Sequence, residues 1–208
     1  MPSIESLSLF FTASLLLAIA PGPDNLFVLT LSALRGPARG MMVVLGLCSG
    51  LLVHTAAVAV GVAALIQSSA VAFTVLKFIG AAYLFYLGWQ ALRAPAAHID
   101  ALHDKAAQWG VLYRRGIVMN VTNPKVSIFF LAFLPQFADP ARGPLWMQIV
   151  LLGVLFIVAA LLVFGVIALV AGALGRWFAR SPGALRWMNR LAGVVLIGLA
   201  LRLALLTR

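Results

Sequence analysis

Ala20-Pro21-Gly22-Pro23-Asp24-Asn25, in the middle of one apolar run, and Asn120-Val121-Thr122-Asn123-Pro124-Lys125, in the middle of another, decide how this chain folds. Proline inside a helix removes one backbone hydrogen bond and clashes with the preceding turn, at a cost of about 3 kcal/mol or more. In hydrocarbon the freed carbonyls need partners, so such a break is tolerated where it faces protein or a water-filled cavity. Two prolines around a glycine predict that residues 20 to 24 unwind, and Asn123-Pro124 predicts the same in the second run. Each break leaves the N-terminus of a half-helix pointing into the bundle, with free N–H groups and a partial positive charge that suit a carboxylate.

Working outward, the composition places both runs in a bilayer. In 208 residues the hydrophobic fraction is 63% and charged residues are only 10%, against roughly 25% charged in soluble domains; the mean hydropathy is +1.08. The net charge of +10 does not argue for nucleic acid, because the basic residues cluster between apolar runs and no soluble domain presents a patch. A single cysteine, Cys48, lies inside an apolar segment. It permits no intramolecular disulfide and no cysteine metal cluster. Ala18-Ile19-Ala20 imitates the end of a signal peptide, but residues 1 to 20 hold no Lys or Arg. That stretch reads as the first half of a spanning helix.

A crossing takes about 20 apolar residues, and the chain divides into six: about 6–34, 41–66, 70–92, 115–137, 145–174 and 187–206. Gln67-Ser68-Ser69 separates the second from the third. Arg35 and Arg39, then Arg93, Lys105, Arg114 and Arg115, then Arg176, Arg180, Arg186 and Arg190 fill alternate loops. Those loops are expected on the cytoplasmic side, which puts both termini outside. Arg202 and Arg208 dissent, and Lys77 near the outer end of span three reads as a snorkelling side chain.

Three spans per half make the second half enter with the opposite sense, the inverted repeat of many secondary transporters. The expected fold is an all-α integral membrane protein of one domain, 1–208. Residues 1–92 form the first three-helix repeat, 93–113 a cytoplasmic loop and 114–208 the second repeat, with helices one and four broken near mid-membrane. Aligning Pro23 with Pro124 sets Gly22 against Asn123 and Asp24 against Lys125. In spans three and six, Lys77-Phe78-Ile79-Gly80 matches Arg190-Leu191-Ala192-Gly193.

An ionised group at mid-membrane costs about 2.5 to 3.5 kcal/mol on insertion scales, so Asp24 and Lys125 need compensation. One reading is a structural ion pair pinning span one to span four. The other is a binding site, with Asp24 meeting a substrate ammonium or a transported proton and Lys125 meeting a carboxylate. A resting pair that opens to admit a zwitterion joins the two. Asn25, Asn120, Thr122 and Asn123 add neutral hydrogen-bonding groups beside the breaks. On span two, Gly46, Gly50, His54, Ala57 and Gly61 share a face suited to close packing, where His54 serves as a packing donor or a proton relay. That face permits a homodimer and equally permits internal packing. Tyr83, Tyr86 and Trp89 recur at helical spacing in span three, and Trp89 reads as an interfacial anchor at the cytoplasmic edge. His98, Asp100, His103 and Asp104 read as a solvated linker rather than a metal site.

Other classes fit less well. A thiol carrier wants a cysteine pair, a metal exporter several intramembrane ligands, and an enzyme a converging catalytic cluster. No cofactor or metal is called for. A passive channel stays open, and flux that ignores a proton gradient would distinguish it.

Pro-Gly-Pro-Asp-Asn at 21–25, Asn-Pro-Lys at 123–125 and Gly-Ala-Ala-Tyr-Leu-Phe-Tyr-Leu-Gly-Trp at 80–89 together resemble the LysE/RhtB family of bacterial amino-acid exporters over essentially the whole chain. The resemblance implies an inner-membrane protein that expels amino acids or their derivatives in exchange for protons. By motif, Pro21, Gly22, Pro23, Asp24, Asn123, Pro124 and Lys125 carry over. The implied partners are an amino acid, protons and the lipid bilayer.

Overall fold

A computed structural model describes residues 1–62, 70–93, 108–178 and 182–205. The helices are α1 (Ile4–Ile19), α2 (Pro23–Arg35), α3 (Pro37–Ala57), α4 (Ala70–Arg93), α5 (Trp109–Val121), α6 (Pro124–Ile128), α7 (Leu145–Phe178) and α8 (Pro182–Leu205). A π-turn, Val58–Val62, extends α3, and α6 continues as a π-turn, Phe129–Phe133, and a 3-10 turn, Leu134–Phe137. No strand occurs among the described residues.

Both motifs break their helices for the expected reason. A residue before proline is pushed into the extended region, and Ala20 (ψ 118°), Gly22 (φ −163°, ψ −179°) and Asn123 (φ −76°, ψ 109°) all lie there. Pro23 and Pro124 then open α2 and α6 at their first turns, where a missing N–H is harmless. The unwinding is shorter than the sequence suggests. It ends at Gly22, so Asp24 lies inside the first turn of α2. Across the breaks α1 and α2 bend by 60° and α5 and the segment Pro124–Phe137 by 50°.

Pro37–Gly61, Thr74–Arg93 and Leu145–Gly172 are each long and apolar enough to cross a bilayer, and the two bent pairs reach the same measure jointly. By length and composition the described residues therefore hold three candidate crossings, or five if each bent pair is one; α8 is not among them. Span four starts earlier than expected, at Trp109. The linker residues His98, Asp100, His103 and Asp104, and the divider Gln67-Ser68-Ser69, lie outside the described residues.

Glycines set how the helices run against each other. A Cβ on Gly46 would stand 2.1 Å from the Tyr113 carbonyl oxygen, and one on Gly116 would stand 2.4 Å from that of Val43. Gly50 faces Asn120 in the same register, so α3 and α5 run parallel. Gly153 meets Thr55 while Gly172 meets Pro37, so α3 and α7 are antiparallel. Gly80 meets Leu203 while Gly88 meets Gly193, so α4 and α8 are antiparallel too. Of the small-residue face read on span two, Gly46 and Gly50 pack as expected; Gly61 has open space around it. Because backbone cannot yield as a side-chain tip can, Gly46→Ala and Gly116→Ala each force α3 off α5. We expect each to cost about 1 to 3 kcal/mol, read as a lower thermal midpoint in detergent.

The interior near the breaks is aromatic. Phe10 of α1, Phe156 of α7, and Phe129, Phe130, Phe133 and Phe137 after α6 are all buried. Ring centroids lie 4.8 Å apart for Phe129–Phe133, 5.1 Å for Phe133–Phe137 and 5.2 Å for Phe10–Phe137. The column ends at Phe137 in a cleft shared with Ser3, Asp139, Arg142 and Arg202. There the terminal ammonium of Met1 donates to the Arg142 carbonyl, and Arg142 pairs with Asp139 at 3.3 Å. Arg202, which dissented from the charge pattern, sits over the Phe137 ring at 5.5 Å.

Candidate functional site

Each break orphans particular carbonyls, and side chains from elsewhere serve them. In an unbroken helix the N–H groups of Pro21, Gly22 and Asp24 would bond the carbonyls of Leu17, Ala18 and Ala20. Pro21 has no N–H and the chain is unwound, so other donors step in. Lys125 Nζ donates to Ala20 O at 2.7 Å and to Leu17 O at 3.3 Å, and Asn25 Nδ2 donates to Ala18 O at 2.7 Å. At the second break, Pro124 cannot serve Asn120 O. His54 of α3 supplies that donor from Nε2 at 3.1 Å, alongside the Asn123 backbone N–H at 3.0 Å. A carbonyl only accepts, so this bond fixes the His54 proton on Nε2.

Each charge makes its direct contacts at a helix end rather than with the other charge, though the two lie close enough to act on one another through space. Lys125 Nζ rests on the C-terminal carbonyls of α1, the negative end of its dipole, and Asp24 lies in the first turn of α2, the positive end. Asp24 Oδ2 also accepts from Asn123 Nδ2 at 2.8 Å, while Asn123 Oδ1 accepts from the Lys125 backbone N–H at 3.0 Å and caps α6. Asn123 thus ties the two spans together. Asp24, Asn25, Asn120, Asn123, Lys125 and His54 are all buried. A direct Asp24–Lys125 ion pair does not form.

Beside the breaks, Asp24 Oδ1, Asn25 Oδ1 and Asn120 Oδ1 are buried with no donor at close hydrogen-bond distance, as is Ser32 Oγ elsewhere, while the Asn120 side chain neighbours the Asp24 carboxylate. Unpartnered buried oxygens are costly in ordinary protein interiors. Asp24 and Asn120 border a closed space of about 10 Å³ with Leu51, Val126 and Phe156, close to the room one water molecule needs. Lys125 borders that space as well and also lines a vestibule of about 850 Å³ on its other side. Pro21, Gly22, Pro23, Asn123 and Pro124 form the deep end of this vestibule, and Trp89, Gln90 and Arg93 of α4 stand at the other. Asp24 does not line it. Lys125, which borders both spaces, and Asn123, which lines the vestibule and bonds Asp24, therefore stand between the large cavity and the acid.

Gly22 keeps room for that lysine. A Cβ there would come within 3.3 Å of Lys125 Nζ.

Of the residues read from the sequence, Pro21 to Asn25, Asn120 and Asn123 to Lys125 come together at the crossing of the two breaks, with His54 beside them. Thr122 does not join them: it is exposed and its hydroxyl donates to Val118 O at 2.8 Å. Trp89, read as an anchor, lines the vestibule, with the Arg93 guanidinium 4.3 Å from its ring centre. Leu26, Leu87, Gln90, Asn189 and Leu196 also line it and were not foreseen. Gln90, next to Trp89, is the one amide side chain in span three and offered that signal. No group of three or more metal-ligating side chains occurs among the described residues.

His54 offers a clean distinction. If it only closes the break, His54→Leu removes one of two donors to Asn120 O, costing about 1 kcal/mol, and leaves the pH dependence of transport unmoved. A shifted pH profile would make it a proton relay.

Buried charges at two facing helix breaks, a cavity reaching them from one side and an aromatic column on the other define a helical membrane protein of the solute-carrying kind. The chain belongs to the LysE type translocator family, whose model matches residues 15–207. It is 36% identical over 186 residues to the homoserine/homoserine lactone efflux protein of Salmonella typhi, covering 88% of each chain. To an uncharacterized membrane protein of Vibrio cholerae it is 35% identical over 198 residues, 94% of each. A leucine efflux protein of Salmonella choleraesuis is 26% identical over 198 residues, 95% of this chain and 93% of the relative. No solved structure matches the chain significantly.

Proposed function

We propose that this protein exports amino acids or their derivatives across the bacterial cytoplasmic membrane by exchange with protons, as a carrier and not an enzyme. Its fold on this reading is six crossings in two inverted repeats, 1–92 and 114–208, about the loop 93–113, with both termini outside. The alternation of helix directions supports it: α3 parallel to α5, α3 antiparallel to α7 and α4 antiparallel to α8 are the senses that six successive crossings require. The vestibule mouth at Arg93 then faces the cytoplasm, and the N-terminal cleft at Phe137 faces outward.

One observation carries the mechanism: Lys125 lines the vestibule while Asp24 does not. A cargo carboxylate arriving from the cytoplasm meets the Lys125 ammonium and competes with Ala20 O for it. Drawing Nζ off the carbonyls joins the vestibule to the space beside Asp24, whose free Oδ1 takes the cargo ammonium. The repeats then rock about the breaks, the aromatic column parts, and an outside proton on Asp24 releases the cargo. Pro21, Gly22, Pro23 and Pro124 hold the breaks open, and Asn25, Asn120 and Asn123 hold the charged groups in place.

A metabolite screen of cells overproducing the protein tests the export reading, scored by which compound accumulates in the medium. No change in any amino acid or derivative would sink it. Flux that persists unchanged when the proton gradient is collapsed would instead favour a passive channel. A paired copy in detergent, weighed by light scattering, would establish the homodimer that the sequence allows.

A further inference from the structure

The vestibule is asymmetric in charge, and that narrows the cargo. The argument rests on the reading just given, in which the α-carboxylate docks on Lys125 and the α-ammonium reaches Asp24. Both full charges on the described wall are positive, Lys125 at the deep end and Arg93 at the mouth, and no Asp or Glu lines it. Between them the wall is mainly apolar, from Leu26, Leu87, Trp89, Ala91 and Leu196, with the neutral amides of Asn123 and Asn189 among them. Gln90 is neutral, its Nε2 donating to the Tyr86 hydroxyl.

A cargo docked at Lys125 therefore lays its side chain along leucines and aims its end at a guanidinium. An apolar side chain gains from that burial. A second ammonium or guanidinium gains nothing from the leucines, finds no acidic partner among the described residues of the wall and is repelled by Arg93. We propose that the vestibule selects amino acids with neutral, apolar side chains and rejects dibasic ones, and that Gln90 and Arg93 are the residues that set this preference.

Purified full-length protein in liposomes, loaded with labelled leucine, provides the test through counterflow competed by external leucine, methionine, lysine and arginine. Leucine and methionine should compete at least about tenfold better than the dibasic pair. Gln90→Glu places a carboxylate one turn from Arg93 and within the wall. It should shift the lysine-to-leucine preference about threefold toward lysine, the worth of one solvent-screened ion pair. A merely structural role for Gln90 would not move that ratio in lysine's favour.

Lysine competing as well as leucine in the unaltered protein, or a ratio unmoved by Gln90→Glu, overturns the proposal while leaving export intact. Absence of counterflow for every amino acid overturns export itself. Thermal-shift titration of the purified protein with leucine and lysine then still decides the selectivity, and equal stabilisation by both would overturn it.

Discussion

Asp24→Asn protein in liposomes should exchange cargo down its gradient yet fail to drive cargo uphill when a pH gradient is imposed, its coupled rate falling to that of protein-free vesicles. The substitution is nearly isosteric, and an amide oxygen still accepts the Asn123 Nδ2 bond that now measures 2.8 Å. Packing around this fully enclosed position is thus retained, and what disappears is the capacity to bind and release a proton. The other ionisable groups within the membrane beside it are Lys125 and His54. Lys125 is committed to the α1 carbonyls and His54 to Asn120 O. Asp24 is the one carboxylate of the three; the Nδ1 of His54 is the other proton acceptor, and the pH profile of His54→Leu separates the two. Proton-driven accumulation at the unaltered rate would remove Asp24 from the coupling step.

The second large effect is expected at Lys125. Lys125→Ala deletes charge-assisted bonds worth about 1.5 to 3 kcal/mol each to Ala20 O and Leu17 O, so the protein should lose thermal stability. It should also lose carboxylate capture. A charge-assisted contact of that strength corresponds to about tenfold to a hundredfold in apparent affinity. In competition assays leucine should beat leucinamide, which lacks the carboxylate, only in the unaltered protein; in the variant the two should converge. Lys125→Arg separates the roles further, since it keeps the charge but brings a broad planar head against Gly22, where the present ammonium already leaves a Cβ only 3.3 Å. If leucine and leucinamide weaken in parallel on Lys125→Ala, the lysine holds the break together and does not read the cargo.

The breaks were legible because proline's effect is local. Losing an N–H and forcing the preceding residue extended depends on nothing beyond the neighbouring atoms, and Gly22 and Asn123 obey. The two charges were legible because an ion in a run of apolar residues has no bland explanation. Their partners were not. A direct Asp24–Lys125 bond was a natural expectation, yet each charge settles at a helix end of opposite sign. Nothing in the spacing says that Lys125 reaches Leu17 O, 108 positions away. Thr122 shows the converse error: proximity in sequence to a break does not place a side chain in the site, because the helix turns that residue outward and its hydroxyl satisfies itself on Val118 O.

The chain's composition, its loop charges and its two proline motifs by themselves determined a helical membrane protein interrupted twice, with an acid and a base at the interruptions, because hydropathy and backbone chemistry act over a turn or a span. Only the tertiary structure decided which donors repair the orphaned carbonyls, that His54 belongs to the second break, and that Lys125 lines the vestibule while Asp24 does not. Those outcomes follow from the registers of α3 on α5 and of span one on span four, set by close contacts such as Gly46 with Gly116. Such a register is a property of two surfaces meeting, and no single stretch of sequence contains it.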